Sequence, residues 1–346
     1  MTSIPKAVLY YSPISVWSAV ARLAIEEKGY GEDELDFRTV DLHKGQNYDL
    51  AFLRLNAKAT VPTLLVPYED TLSGDGDSRY KALTDTKSIV EFLDKSRSAI
   101  SRTHTTSSAP APTLTPATIA TSTICKVIID EILHSEVANP NTLLFVNAYD
   151  DASLQTLAAE QLPGLKQRQQ ALAGYLSEAE GGQVRVSDKV KKLWTEKLEA
   201  TTVIIAVLDD ARKAETELDD DGKANRTAFF KAAHRAWEVN LTEVLTQLSK
   251  EMVGPYTLGE QFSIADLHLA GWLARVGKLA GVTRQDDGET MVKKLEGRVG
   301  GGFRLVRDFR NERGGVEKGA ETKLGAFWDA VGERDSWKKV YSEGLY

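Results

Sequence analysis

Three short stretches near the N-terminus place hydroxyl, carboxylate and unpaired backbone groups where they could hold a small peptide and activate its thiol. Ser15 lies in YYSPISVWSAVARLAIEEKG (Tyr10–Gly29), where a short apolar strand hands over to a helix. A hydroxyl at a helix N-terminus can donate to a bound thiolate, and the helix dipole favours the anion further. The plain alternative is an N-cap serine, and Ser12, Tyr10, Tyr11 and Ser18 compete for the donor's task. Val61-Pro62 opens a second apolar run after LNAKAT. Proline belongs at a strand's first position or on an edge, because it cannot donate to a sheet ladder. A cis bond would turn the Val61 N–H and C=O outward to meet an extended peptide; otherwise the proline merely starts an edge strand. Asp85-Thr86 opens a third element. There the N-terminal N–H groups and the Thr86 hydroxyl could bind an α-carboxylate while Asp85 holds the neighbouring ammonium, or the pair could simply cap the helix.

The elements that must position these residues follow from periodicity. AVLYY (Ala7–Tyr11) reads as a strand buried on both faces, and Val16 to Lys28 as an amphipathic helix stopped at Gly29. LDFRTVDL (Leu35–Leu42) reads as a second strand with alternating apolar residues. VPTLLVPY and YKALTD, separated by the turn SGDGDSR, read as an antiparallel hairpin, and a helix follows from about Thr86 to Ser96. The order β-α-β, connector, β-β-α is the thioredoxin-like plan. Residues 98–123 are rich in Ser, Thr, Ala and Pro and read as a partly extended, mobile linker. Beyond it the pattern is helical: approximately Cys125–His134, Ser153–Leu176, Ser187–Leu218, Arg226–Met252, Ser263–Leu279 and Ala320–Tyr341. The fold class expected is therefore an α/β thioredoxin-like domain over residues 1–97 joined to an all-α domain over 124–346.

YYSPISVWSAVARLAIEEKG, LNAKATVPTLLV and LTDTKSIVEFL together resemble the three signature stretches of the glutathione transferase superfamily, in the family's order and spacing. The resemblance implies that Ser15 is the catalytic residue, with Ser12 as the alternative. It implies that Val61, before a cis Pro62, pairs with the cysteinyl part of glutathione, and that Asp85-Thr86 holds the γ-glutamyl end. Lys44 or Lys58 would meet the glycyl carboxylate. Val16 and the Asp-Thr pair depart from the family's usual residues, which puts turnover in more doubt than binding. GEQFSIADLHLAGWLARV adds a second match, through the capping box Ser263-x-x-Asp266 flanked by Phe262 and Leu267. RDSWKKVY is similar to the family's usual ending. The helical domain is unusually long. Its surplus, at about 135–225, resembles in layout the ganglioside-induced differentiation-associated branch.

The family implies a transferase that activates glutathione for attack on a small hydrophobic electrophile held between the domains. Trp17 and Cys125 would line that pocket, with Phe145 and Tyr149 as further aromatic candidates. It also implies detoxification, a cytoplasmic location and a homodimer. A non-catalytic glutathione-fold interaction protein and a glutathione-dependent lyase or isomerase are the rivals. A thiol reductase would place cysteine where Ser15 stands.

Composition bounds these readings. The chain has 346 residues and a formal net charge of -7, from 43 basic and 50 acidic side chains, which gives nucleic acid nothing to grip. The single cysteine excludes an internal disulfide, and the five histidines show no ligand spacing, so no metal is expected. Neither a secretory leader in MTSIPKAVLYY nor a terminal anchor after SEGLY is expected, and hence no membrane role and a reducing compartment.

Overall fold

The computed structural model describes residues 6–67, 80–98, 107–310 and 320–346. The hairpin turn expected at SGDGDSR and the first part of the expected linker lie outside the described residues. The chain divides into two compact units, one of residues 1–38, 61–140 and 237–346, the other of 39–60 and 141–236.

The first unit contains a mixed four-stranded sheet in the order β2-β1-β3-β4. Its strands are β1 (Ala7–Tyr11), β2 (Leu35–Thr39), β3 (Thr63–Pro67) and β4 (Tyr80–Leu83). β3 runs antiparallel to both β1 and β4. In β1 only Val8 and Leu9 are buried, and the remaining residues are half-covered. β2 also departs from its apolar alternation: it is the edge strand, and only Leu35 is buried while Phe37 faces solvent.

Helix α1 (Val16–Glu27) forms because Ser15 caps it and Val16, Ala19, Val20, Leu23 and Ala24 present one apolar face. Gly29, at φ 64°, ends it in the left-handed region. Helix α3 (Thr86–Ser96) buries Ile89, Val90 and Leu93, as its spacing predicts. A short α2 (Leu50–Leu55) belongs to the other unit.

The stretch after α3 is pinned where it is described. The Arg97 guanidinium donates to the carbonyls of Ser107, Ala109 and Pro110. Asp94 accepts from Lys28 Nζ at 2.8 Å and from the N–H groups of Leu114 and Thr115 at 3.0 Å. Residues 107–115 are thus strapped to α1 and α3, with charged side chains satisfying a backbone that has no ladder of its own. Helix α4 (Ile119–Lys126) then starts inside the expected linker and runs into a π-helical turn, Val127–Leu133.

Helices α5 (Pro140–Phe145), α6 (Asp151–Glu180), α7 (Asp188–Asp209) and α8 (Asp220–His234) form the rest of the second unit. One of its cores joins Leu154, Leu157 and Leu165 of α6 to Ile205 and Leu208 of α7. Another joins Leu53 and Tyr48 to Leu172 and Trp194, whose indole N–H donates to the Tyr48 carbonyl at 3.0 Å.

Back in the first unit, the expected helix Arg226–Met252 is interrupted by a π turn before α9 (Leu241–Glu251). Helix α10 (Ile264–Leu279) is buried from Ile264 to Gly277. Its start is held by Asp266, which accepts from the N–H groups of Ser263 at 2.7 Å and Thr257 at 2.6 Å. Burial pushes that carboxyl up to about 6 although these donors oppose the shift. α10 packs on α1 at Gly271, where a Cβ would stand 2.6 Å from Val20 Cγ2 and 3.1 Å from the Val16 carbonyl. The unit closes with α11 (Gly288–Val299), α12 (Lys323–Gly332) and α13 (Asp335–Val340). The break at Arg334 between the last two serves α1, because its guanidinium forks onto the Glu27 carboxylate. No helix among the described residues is long and apolar enough to cross a membrane.

Candidate functional site

The antiparallel pairing of β3 with β1 and β4 brings the three sequence stretches to one end of the strands, where β1 and β4 finish and β3 begins. Tyr10 faces Thr63, and Leu64 faces Leu83. Carried two pairs past Tyr10–Thr63, the β1–β3 register directs Ser12 toward Val61. Thr86 opens α3 three residues after Leu83, the last residue of β4, where the strand register no longer applies.

Each of these stretches keeps hydrogen-bonding capacity. The Val61-Pro62 bond is cis. The N–H and C=O of Val61 meet no partner among the described residues. Asp85 caps α3 by accepting the Ser88 N–H at 2.8 Å through one carboxylate oxygen. The capping alternative is therefore realised, and the second oxygen remains for a ligand. Thr86, 7% exposed, has no hydroxyl partner among the described residues.

Ser15 also caps its helix, accepting the Ser18 N–H at 3.2 Å. The bond uses a lone pair, so the hydroxyl proton can still be donated. Its rivals are placed differently. Ser18 is fully buried and accepts the Ser12 N–H at 3.2 Å, and the Tyr10 hydroxyl accepts from Arg38 at 3.1 Å. Tyr11 packs against Phe37 and under Arg22. Ser12 is 3% exposed against 9% for Ser15. The turn that joins them is held at both ends. The Ser15 N–H donates to the Ser12 carbonyl at 3.0 Å, and Arg275 of α10 donates to the Ile14 carbonyl at 2.5 Å.

The other candidates stand elsewhere. Lys44 pairs with Asp41 at 3.4 Å, the Lys58 N–H donates to Asn56 at 2.9 Å, and both belong to the second unit. Phe145 packs against an apolar core of that unit, and Tyr149 is exposed. Cys125 is 6% exposed, and burial raises its thiol to about 11. Native protein should accordingly resist iodoacetamide at pH 7.5 and label fully once denatured; rapid native labelling, read by mass spectrometry, would contradict that environment.

The structure adds His134 and His268, which the sequence did not single out, beside the expected pocket residue Trp17. Trp17, in the turn that Ser15 caps, stacks on His134 with ring centroids 3.9 Å apart and planes 18° from parallel. His134 Nε2 lies 2.8 Å from His268 Nδ1. Burial lowers the titration of both rings, that of His268 far below the usual histidine range. Five scattered histidines gave no metal spacing, and a pair separated by so much chain becomes visible only in three dimensions. Among the described residues, no cluster of His, Cys, Asp or Glu is placed to hold a metal.

The family model of the glutathione S-transferase N-terminal domain matches residues 9–100. The chain carries that domain. The residues matched include Ser12, Ser15, Val61, Asp85 and Thr86. Solved structures share the wider fold: the same thioredoxin-like sheet followed by a mostly helical region. The β-etherase LigF of Sphingobium sp. strain SYK-6 is 14% identical over 98% of this chain and 100% of its own, with TM-score 0.50. Gtt2 of Saccharomyces cerevisiae is 15% identical over 96% and 99%, with TM-score 0.47. A glutathione transferase homologue from Sulfitobacter, solved with bound glutathione, is 16% identical over 98% and 99%, with TM-score 0.40. At these identities the likeness is one of fold. No curated protein matches the chain in sequence.

Proposed function

We propose that the protein binds glutathione at the end of its N-terminal sheet where β1 and β4 finish and β3 begins, and transfers it to a small hydrophobic electrophile. The observation that carries this reading is the cis Val61-Pro62 bond at the end of the sheet where the Ser12–Ser15 turn and Asp85-Thr86 also lie, each with unspent hydrogen-bonding groups. In this reading the cysteinyl backbone pairs with Val61, and the γ-glutamyl carboxylate sits on Thr86 at the positive end of α3. Asp85 takes the ammonium. Ser15 donates to the sulfur and lowers the thiol's pKa from about 8.5 toward neutrality. The thiolate attacks an electrophile on the side of Trp17 and Cys125. The homodimer and the detoxifying, cytoplasmic role are part of the same proposal.

Calorimetric titration with glutathione tests the binding half. Asp85→Asn removes the charge that meets the ammonium and should weaken the Kd about tenfold, the worth of a charge-assisted hydrogen bond. Thr86→Val should act in the same direction. Unchanged affinity in both variants would place the ligand elsewhere. Binding without turnover of any electrophile would leave a glutathione-fold interaction protein.

A further inference from the structure

Arg275, 4% exposed, lies one turn beyond Gly271 on the face of α10 that packs against α1. Its guanidinium donates to the Ile14 carbonyl at 2.5 Å, its one hydrogen bond among the described residues. No carboxylate among the described residues acts on it; the groups that face it are the hydroxyls of Tyr341 and Tyr346, which follow α13. Arg22 of α1 faces the same two tyrosines and donates to the Tyr346 hydroxyl at 3.2 Å. Burial raises the titration of both phenols, so neither becomes an anion near neutral pH. Burial pushes the Arg275 group down to about 10, which still leaves it charged under the same conditions. A full positive charge is thus buried beside the Ser12–Ser15 turn with no counter-ion among the described residues.

Buried charges are normally paired, because removing an ion from water costs more than one hydrogen bond to a neutral group returns. Holding the Ile14 carbonyl needs a donor but no charge, and a neutral amide could do it. The charge is surplus to that contact, and the residue that follows Ile14 is Ser15. The N-terminal N–H groups of α1 add their partial positive charge at the same place. Arg22 is the other cation of the cluster, but it is only half-buried, so water screens it more. Close packing at Gly271 fixes α10 against α1 and keeps the guanidinium from swinging away. In a low-dielectric surrounding such a fixed cation acts on an anion several ångströms off without moving.

We propose that Arg275 is a positioning residue whose unpaired charge is completed by the sulfur anion of bound glutathione, acting through the Ile14–Ser15 turn that it holds. The proposal rests on the transferase reading above. The S–H bond of glutathione breaks, its electron pair stays on sulfur, and the proton leaves to solvent. No oxidant or further reactant is involved. The thiolate relieves the buried guanidinium, whereas the neutral thiol does not. Removing the charge should therefore oppose ionisation of the bound ligand more than it opposes binding.

The test follows the ultraviolet absorbance of the thiolate as pH is raised, with glutathione bound to the purified full-length chain. In the wild type the bound thiol should titrate below its free value of about 8.5. Arg275→Gln keeps a donor for the Ile14 carbonyl and removes the charge. Its midpoint should rise by about one pH unit, the lower end of what a nearby opposite charge does. Its Kd for S-methylglutathione, which cannot ionise, should stay nearly unchanged. Arg275→Lys keeps the charge and should titrate close to the wild type. A midpoint that the Gln variant leaves in place overturns the proposal, whether or not S-methylglutathione binding weakens. If that variant lacks the native circular dichroism, the NMR resonance of Arg275 Nε in the wild type serves instead. It should move with the thiol's titration in the glutathione complex and stay still with S-methylglutathione; the same behaviour in both complexes overturns the proposal. A wild type that fails to bind glutathione, or leaves its thiol at the free value, removes the transferase reading itself, and this proposal with it.

Discussion

Ser15→Ala should lower kcat/KM for glutathione conjugation about a hundredfold while leaving the Kd for glutathione nearly unchanged. The site's logic requires this separation. Binding rests on Val61, Asp85 and Thr86, whereas the serine acts on the sulfur through a proton that no protein acceptor among the described residues takes. Positioned acid–base groups contribute about 10²–10⁴ in rate, and a single hydrogen bond to a thiolate belongs at the lower end. The pH–rate profile should move with it: without the donor, the thiol's apparent pKa returns toward its free value of about 8.5. Ser15→Thr keeps the hydroxyl and should retain most activity. The same oxygen accepts the Ser18 N–H, so the alanine variant should also lose about 1 kcal/mol of stability. Ser12→Ala, at a more deeply buried position, should stay within a few-fold of wild type. Equal losses from Ser12→Ala and Ser15→Ala in steady-state kinetics would contradict the assignment.

The largest stability effect is expected at Asp94. Asp94→Ala should cost about 3–5 kcal/mol, the usual consequence of leaving one member of a buried ion pair alone. The pair is nearly closed to water, with side-chain exposures of 0% for Lys28 and 3% for Asp94. Asp94 also accepts the Thr115 hydroxyl at 2.6 Å, so its removal frees the strap 107–115 as well as the Lys28 ammonium. Burial alone would raise this carboxyl. The Lys28 ammonium, the Thr115 hydroxyl and the Leu114 N–H outweigh it and hold the group below the usual carboxylate range. Its stabilisation is therefore complete above the unfolded value of about 3.9 and lost as pH falls through the lower folded value. Denaturant titrations should show the gap between wild type and Asp94→Ala closing below about pH 4. A gap of under about 1 kcal/mol at pH 7 would mean that the strap contributes little.

How much of this was legible before the structure differs by element. The strands and helices of the N-terminal domain have strong periodicity and clear caps, and α3 starts and stops where its residues predict. Ser15, Val61 and Asp85-Thr86 were visible because each sits at an element boundary, where side chains and backbone groups are left over. Their meeting at one end of the sheet was not visible, because strand pairing is a relation between segments far apart in sequence. The strap of residues 107–115 read as loose because Ser, Thr and Pro bury little area; the charges that hold it come from Lys28, Asp94 and Arg97, inside other elements. His134 and His268 were unremarkable singly. The long helical surplus at about 135–225 was read from length alone. Its helices occupy a unit that also takes in residues 39–60, a partner segment that no periodicity announces.

The central claim is that glutathione is held by Ser15, Val61 and Thr86 with its sulfur on the serine hydroxyl. A crystal structure of the protein soaked with glutathione tests this directly. The expected result is a sulfur within hydrogen-bond reach of Ser15 Oγ, a cysteinyl backbone paired with Val61, and an α-carboxylate on Thr86. A sulfur more than about 4 Å from the hydroxyls of both Ser15 and Ser12, beyond hydrogen-bond range, would contradict the account.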